Sequence, residues 1–255
     1  MRTSHKLATL VLGSAAILPL LGAGTAFAAD GNVSANLKPV ALNGVNGSGT
    51  ASVKVTGTTI AVTMAANGLL AGSPHAAHIH FGADARHECP IASDDANKDG
   101  HLNTTDGGPA YGPIVVSLTK TGDTSPKSAL AVERFDTAQG GKISYERGSI
   151  TVTQTVADAI SSGKAVVVIH GVDYNKDGKY SGSVKSELAP TLPTEATDPA
   201  LCGVLSAMPS GGVATGAGGA ASGTSNDGMI ALGGGLMLIA AGSGVYSVRR
   251  ARARS

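Results

Sequence analysis

Hydrophobic and polar positions alternate strictly over one early stretch of the chain. The apolar positions are Val53, Val55, Ile60, Val62 and Met64. Because successive side chains of a β-strand point to opposite faces, a period of two predicts strands that each bury one face. The stretch Thr56-Gly57-Thr58-Thr59 interrupts the alternation with turn-forming residues. We therefore predict a β-hairpin here.

Further runs rich in β-forming residues follow, separated by loops rich in Gly, Asp, Asn and Pro. They cover residues 114–118, 129–132, 143–155 and 165–169. One weak helical pattern covers residues 156–162. Short strands with frequent turns predict an all-β fold, an immunoglobulin-like or Greek-key β-sandwich or barrel.

The N-terminus has the features of a secretory signal peptide. Arg2 and Lys6 precede an apolar run at 7–21, and Ala26-Phe27-Ala28 follows it. A basic start, a short apolar core and a small-x-small site are typical of a cleaved signal. The apolar run is also too short to span a bilayer. We predict a signal peptide at residues 1–28.

The C-terminus predicts a membrane anchor. Residues 228–248 carry no charge and are long enough to cross the bilayer, while residues 249–255 are basic. The positive-inside rule then places the tail in the cytoplasm and the domain, residues 29–208, outside the cell. Residues 209–227 are a linker of mainly Gly, Ala and Ser. Residues 192–196 resemble a sortase signal only in part, so we favour a retained anchor, with proteolytic release as the alternative.

The charge balance argues against nucleic acid as a partner. The net charge is +1, and no basic patch lies outside the tail. The membrane, reached through the C-terminal helix, is the one partner that the sequence predicts. No feature identifies a protein partner.

The chain has two cysteines, Cys89 and Cys202. An even pair in an exported domain predicts a disulfide, because that compartment is oxidising. Closing this long loop would stabilise the fold by roughly 4–5 kcal/mol on the chain-entropy argument. Two free thiols are the alternative.

Histidines are the strongest candidates for chemistry. His78 and His80 are two residues apart, so on a strand both imidazoles point to one face and can reach one metal ion. His170, at the end of the apolar run 165–169, is the best third ligand. The alternative is that His78 and His80 are ordinary polar residues on a half-exposed strand.

The segment from Gly68 to Gly82, with His78-Ile79-His80-Phe81-Gly82 at its end, resembles the copper-binding segment of copper/zinc superoxide dismutases. Three later segments keep the order of that family: Asp106-Gly107-Gly108-Pro109, Val167-Val168-Ile169-His170 and Leu201-Cys202-Gly203-Val204. Cys89 follows His80 by nine residues, as the family's first disulfide cysteine follows its second histidine. The resemblance implies a copper- or zinc-type site at His78, His80 and His170, and possible action on superoxide.

The same residues are similar to the CHRD domain, which also occurs in exported bacterial proteins. Its His-Ile-His-x-Gly segment precedes a stretch similar to Gly112-Pro113-Ile114-Val115-Val116 here. This resemblance implies a β-fold without an established chemistry. A non-catalytic binding or structural module is therefore an alternative to an enzyme, and a metal-buffering protein is a third.

The chain departs from the dismutase pattern at several functional positions. Asp95 stands where that family has its bridging histidine, although His101 is a further candidate ligand after a loop insertion. Asp106 stands at a zinc histidine, and Pro199 replaces the arginine that guides superoxide. Loss of that charge would weaken the steering of an anion. These departures argue against full dismutase activity.

Two loops resemble the twelve-residue calcium loop of EF-hands. The first supplies oxygen ligands at positions 1, 3, 5, 9 and 12, with Gly100 at position 6. These ligands are Asp95, Asn97, Asp99, Asn103 and Asp106. The second loop supplies only Asp173, Asn175 and Asp177, unless Glu187 closes it. We predict calcium more strongly at the first loop; ion-free Asx turns are the alternative.

Overall fold

The chain forms eleven β-strands and two α-helices in residues 30–208, the part that this computed structural model describes. The strands are Gly31–Pro39 (β1), Ser48–Thr56 (β2), Thr59–Asn67 (β3), Pro74–His75 (β4), Ala77–His80 (β5), Ile114–Ser117 (β6), Asp136–Thr137 (β7), Ile143–Thr151 (β8), Val166–His170 (β9), Pro199–Val204 (β10) and Ser206–Ala207 (β11). The helices are Thr104–Tyr111 (α1) and Gln154–Ser161 (α2).

Most strands join one antiparallel sheet. Its order is β6-β5-β9-β10-β1-β2-β3-β8, with β11 also pairing with β1. The sheet curls into a half-barrel, while β4 and β7 form a separate two-stranded sheet. The prediction of a mostly β domain is confirmed. The finer assignment to an immunoglobulin-like or Greek-key sandwich or barrel stays a prediction.

The predicted hairpin is confirmed as β2 and β3. Val53 pairs with Val62 and Thr56 with Thr59, so the chain reverses over Gly57 and Thr58. All five alternating apolar side chains are buried. The predicted runs at 114–118, 143–155 and 165–169 overlap β6, β8 and β9, and the predicted helix at 156–162 overlaps α2.

The predicted β-run at residues 129–132 is wrong. Residues 129–131 lie between two short 3₁₀ helices, Pro126–Ser128 and Val132–Arg134, and Val132 begins the second. The amides of Ala129 and Ala131 donate back to the carbonyls of Pro126 and Ser128. Local turn hydrogen bonds therefore take the donors that a strand would need for its ladder.

Strand β9 is buried on both faces, which accounts for its uninterrupted run of apolar residues. Val167 and Ile169 belong to the main core. Val166 and Val168 face a second apolar cluster that includes Tyr111 and Cys202. The segments that connect the strands on this side therefore cover the second face of the sheet.

The predicted signal peptide (1–28), linker (209–227), membrane helix (228–248) and basic tail (249–255) lie outside the described residues. Among residues 30–208, none of the helices has both the length and the apolar character needed to span a bilayer.

Candidate metal centre

The pairing of β5 with β9 brings three histidines to one face of the sheet. His78 pairs with Val168 and His80 with Val166, and paired residues share a face. His170 lies two residues beyond Val168, so it also faces this side. One ring nitrogen from each of the three histidines lies within 4.8 Å of the other two. The structure thus brings together the three predicted ligands in a group that can hold a metal ion.

Each of the three rings is fixed by a backbone carbonyl. His78 Nε2 lies 3.1 Å from the Ala129 oxygen, and His80 Nδ1 lies 2.8 Å from the Gly112 oxygen. His170 Nδ1 lies 2.6 Å from the Thr197 oxygen. A carbonyl can only accept a hydrogen bond, so each of these nitrogens must carry the proton. The second nitrogen of each neutral ring is left with a free lone pair.

Those second nitrogens are buried and have no hydrogen-bond partner. They are Nδ1 of His78, Nε2 of His80 and Nε2 of His170. Leaving three buried acceptors without partners is unfavourable, at roughly 1–3 kcal/mol for each group. A metal ion bound to all three lone pairs would remove that penalty. Within residues 30–208, no other set of three or more His, Cys, Asp or Glu side chains meets the same distance criterion.

Burial keeps the three imidazoles neutral, which is the state that binds metal. Burial, with the nearby His170 adding to it, lowers the pKa of His80 to about 3. Burial also lowers the pKa of His170 to about 4. The pKa of His78 falls well below its ordinary value because of burial and the two neighbouring histidines. At neutral pH no proton therefore competes with a metal ion for these nitrogens.

Two aromatic side chains pack against the rings. The Tyr111 ring centre lies 4.4 Å from that of His80, and the Phe135 ring centre lies 5.4 Å from that of His78. Both aromatic residues are almost fully buried. No sequence pattern indicated either residue, since neither belongs to a recognisable motif and each reaches the site through a covering segment.

The predicted disulfide between Cys89 and Cys202 is confirmed. Cys202 pairs with Val168 across β10 and β9, so it shares the histidine face of the sheet. Cys89 belongs to the segment that links β5 to β6. The bond therefore ties this covering segment to the sheet beside the three histidines.

His101, the further candidate ligand, is not part of the three-histidine group. Its ring packs instead on Tyr174, with ring centres 4.0 Å apart. His75 also lies outside the group and contacts two backbone carbonyls. Its Nδ1 lies 2.7 Å from the carbonyl oxygen of His170, and its Nε2 lies 3.2 Å from that of Leu70.

The two predicted calcium loops share one turn geometry. In the first, both carboxylate oxygens of Asp95 accept backbone amides, those of Asp99 and Gly100. In the second, Asp173 accepts the amides of Asp177 and Gly178 in the same way. The first half of the predicted motif therefore has the same pattern of backbone hydrogen bonds in both copies.

Residues in the second half of the first loop cap a helix. The Asn103 side chain accepts the amide of Asp106, and the Asp106 carboxylate accepts the amides of Asn103 and Ala96. This reciprocal pair caps the N-terminus of α1. The carboxylates of Asp95, Asp99 and Asp106 do not form a group within 4.8 Å in this structure.

A buried acidic network near these loops was also missed. Thr194 and Tyr174 donate their hydroxyls to the two oxygens of Asp198, at 2.8 and 2.9 Å. Glu195 accepts the amides of Tyr174 and Ser181. Burial raises the pKa of Asp198 to about 7. No sequence pattern distinguishes these two acids from solvent-exposed ones.

A comparison of the chain with protein-family models found no match, and neither did a comparison with curated proteins.

Proposed function

We propose that the domain binds one transition-metal ion through His78, His80 and His170. The observation that carries this proposal is the convergence of three histidines, each with one buried, unpartnered ring nitrogen and a ring fixed by a carbonyl. Ligating histidines commonly donate their other ring nitrogen to a carbonyl or carboxylate, which fixes the tautomer. The three carbonyls described above supply that second contact.

The ligand set favours copper or zinc. Imidazole nitrogen suits both ions, whereas calcium and magnesium prefer oxygen. Three histidines with an open position are also the ligand set of catalytic zinc sites. When bound, copper would supply one-electron chemistry and zinc would supply a Lewis acid. The chain's own residues hold the rings, keep them neutral and shield them from water.

Action on superoxide, implied by the resemblance to dismutases, is secondary to metal binding in this proposal. Pro199 stands at the position of the guiding arginine and pairs with His170 at the end of β9. A pyrrolidine ring cannot supply the positive charge that steers an anion. We therefore propose a cell-surface metal-binding domain, held outside the membrane by the predicted anchor. A superoxide assay on the copper-loaded chain tests the enzymatic alternative.

Metal titration of the full chain tests the proposal. We expect one zinc or copper(II) ion per chain by calorimetry. His78→Ala, His80→Ala and His170→Ala should each weaken the affinity at least 100-fold. The control is His87→Ala, because His87 bonds the carbonyl of Gly82 and lies outside the three-histidine group. No binding by the wild type, or equal affinities in all four variants, would refute the proposal.

The two aspartate loops support a second function, the binding of calcium as a structural ion. The supporting observation is their shared turn geometry, with Lys98 and Lys176 at positive φ and Gly100 and Gly178 two residues later, also at positive φ. Terbium luminescence tests it, because Tyr174 lies beside Asp173 and can sensitise the ion. We expect Asp95→Ala and Asp173→Ala each to reduce the signal, and a signal unchanged by both would exclude these loops.

A further inference from the structure

Helix α1 lies beside the outer contacts of two of the proposed metal ligands. Its first residue is Thr104 and its last is Tyr111, and Gly112 follows as the C-cap. The two ligands are His80 at the end of β5 and His170 at the end of β9, one before the helix in the chain and one after it. A single short helix can therefore act on two ligands that come from different strands.

The first residue of the helix contacts the carbonyl that holds the His170 ring. The Thr104 hydroxyl donates to the Thr197 oxygen at 2.9 Å, and His170 Nδ1 lies 2.6 Å from the same oxygen. A carbonyl oxygen has two lone pairs, so it can accept both hydrogen bonds. The Thr104 hydroxyl therefore helps to fix the group that orients the His170 ring.

The other end of the helix contacts His80 in two ways. The Tyr111 ring centre lies 4.4 Å from the His80 ring centre. The next residue, Gly112, supplies the carbonyl oxygen that lies 2.8 Å from His80 Nδ1. Tyr111 is almost fully buried, and rings in a closely packed interior have little room to move. This end of the helix therefore fixes the orientation of the His80 ring.

A hydrogen bond joins the two ends of the helix. Tyr111 donates its hydroxyl to the main-chain carbonyl of Thr104 at 3.1 Å, which provides the partner that a buried tyrosine hydroxyl needs. The ring lies against the helix itself, because a Cβ added at Gly107 would collide with it. Tyr111 and Thr104 thus connect the contacts of His80 with those of His170.

We propose that Thr104 and Tyr111 are positioning residues, which hold His80 and His170 in the relative orientation that one shared metal ion requires. The inference rests on the proposed function, because it requires an ion bound to both histidines. Both hydroxyls donate to backbone carbonyls, so the two residues act through other groups and not as ligands. Because they belong to one chain of hydrogen bonds, the effects of removing them should not add.

The first test is the zinc affinity of the full chain, measured by chelator competition. Thr104→Val and Tyr111→Phe each remove one hydroxyl and keep the shape of the side chain. Direct outer contacts of a ligand change affinity 10–100-fold, and these hydroxyls act one bond further out. We therefore expect each variant to weaken zinc binding at least about threefold, with one ion still bound per chain. The double variant should lose little more than the weaker single variant, and Thr104→Ser should restore the wild-type affinity.

The second test is the EPR spectrum of the chain loaded with copper(II). Its hyperfine splitting depends on the geometry of the ligands, so it separates a change in ring orientation from a general loss of stability. We expect the splitting to change in Thr104→Val and in Tyr111→Phe, and to return to the wild-type value in Thr104→Ser.

Matched controls are Thr119→Val and Tyr145→Phe. The Thr119 hydroxyl donates to the carbonyl of Asp123, and the Tyr145 hydroxyl donates to the carbonyl of Thr119. Each control therefore also removes a hydroxyl that contacts a backbone carbonyl, but not a carbonyl that holds one of the three histidines. Both controls should leave the zinc affinity and the copper(II) spectrum unchanged.

The outcomes separate this inference from the proposed metal centre. A wild-type chain that binds one ion, with Thr104→Val and Tyr111→Phe indistinguishable from the two controls, would overturn the positioning role alone. Equal losses of affinity in all four variants would do the same, since the effect would then be general. A wild-type chain that binds no ion would overturn the proposed metal centre as well.

Discussion

The His75 side chain contacts the backbone of His170, because its ring nitrogen Nδ1 lies 2.7 Å from the carbonyl oxygen of His170. His75 is on β4, outside the main sheet, while His170 ends β9. The contact fixes the strand end at the residue that we propose as the third ligand. His75 is therefore a positioning residue for the metal site.

Replacing His75 should weaken metal binding without changing the number of ions bound. His75→Ala leaves the buried carbonyl of His170 without this partner, at a cost of roughly 1–3 kcal/mol in stability. Outer contacts of metal ligands typically change affinity 10–100-fold. We expect a loss of about tenfold in a chelator competition, with His87→Ala as the control. An unchanged affinity would show that His75 does not position His170.

Gly171, next to His170, should not tolerate a side chain. Its φ is +111°, and an added Cβ would collide with the Tyr180 hydroxyl and lie 2.7 Å from His75 Nδ1. We expect Gly171→Ala to lower the free energy of unfolding by at least about 2 kcal/mol through strain and overpacking. Urea denaturation measures this.

The matched control for that substitution is Gly178→Ala. Gly178 also has a positive φ, +82°, but an added Cβ would have no atom within 4 Å. The stability that Gly178→Ala loses therefore measures backbone strain without any steric overlap. If the two variants lose equal stability, the close packing around Gly171 contributes nothing.

The sequence correctly predicted the features that depend on the two-residue period of a β-strand. The alternation around Val53 and Ile60 predicted the hairpin, and the two-residue spacing of His78 and His80 placed both rings on one face. Strand β1 carried the same signal in Val33, Ala35 and Leu37, which alternate with polar residues and are buried, but it was not recognised.

Other features could not be inferred from local patterns. Helix α1 contains two glycines and a proline, which are poor helix formers, and its capping residues Asn103 and Asp106 were interpreted as calcium ligands. The carbonyls of Gly112, Ala129 and Thr197 are backbone groups that any residue type could supply. Only the tertiary fold determines which carbonyls reach the rings.

Removing the disulfide should strongly destabilise the domain. The two cysteines are separated by 113 residues, and the chain-entropy relation gives about 4–5 kcal/mol for a loop of this length. We expect the double variant Cys89→Ala/Cys202→Ala to lose that much in urea denaturation at neutral pH. A loss below about 1 kcal/mol would mean that the covering segment is held by other contacts.

Asp198 should make stability depend on pH. Its pKa is raised to about 7 by burial, against about 3.9 in an unfolded chain. Between these values the folded state binds more protons than the unfolded state, so this contribution to stability falls as pH rises. It is fully present below about pH 4 and is lost as pH passes 7, with an upper limit of about 4 kcal/mol.

The variant Asp198→Asn isolates this effect from the histidines, whose lowered pKa values act in the opposite direction below pH 6.5. We expect the variant to gain stability relative to the wild type as pH rises from 5 to 8. The control is Asp84→Asn, at an exposed position. A stability difference that is constant over this range would contradict the assignment.

The most direct test of the metal centre is X-ray absorption spectroscopy of the zinc-loaded full chain. We expect three imidazole nitrogens at about 2.0–2.1 Å from zinc, and two in the His170→Ala variant under conditions that retain the ion. A spectrum with one imidazole or none, or one that His170→Ala leaves unchanged, would contradict a shared site at His78, His80 and His170.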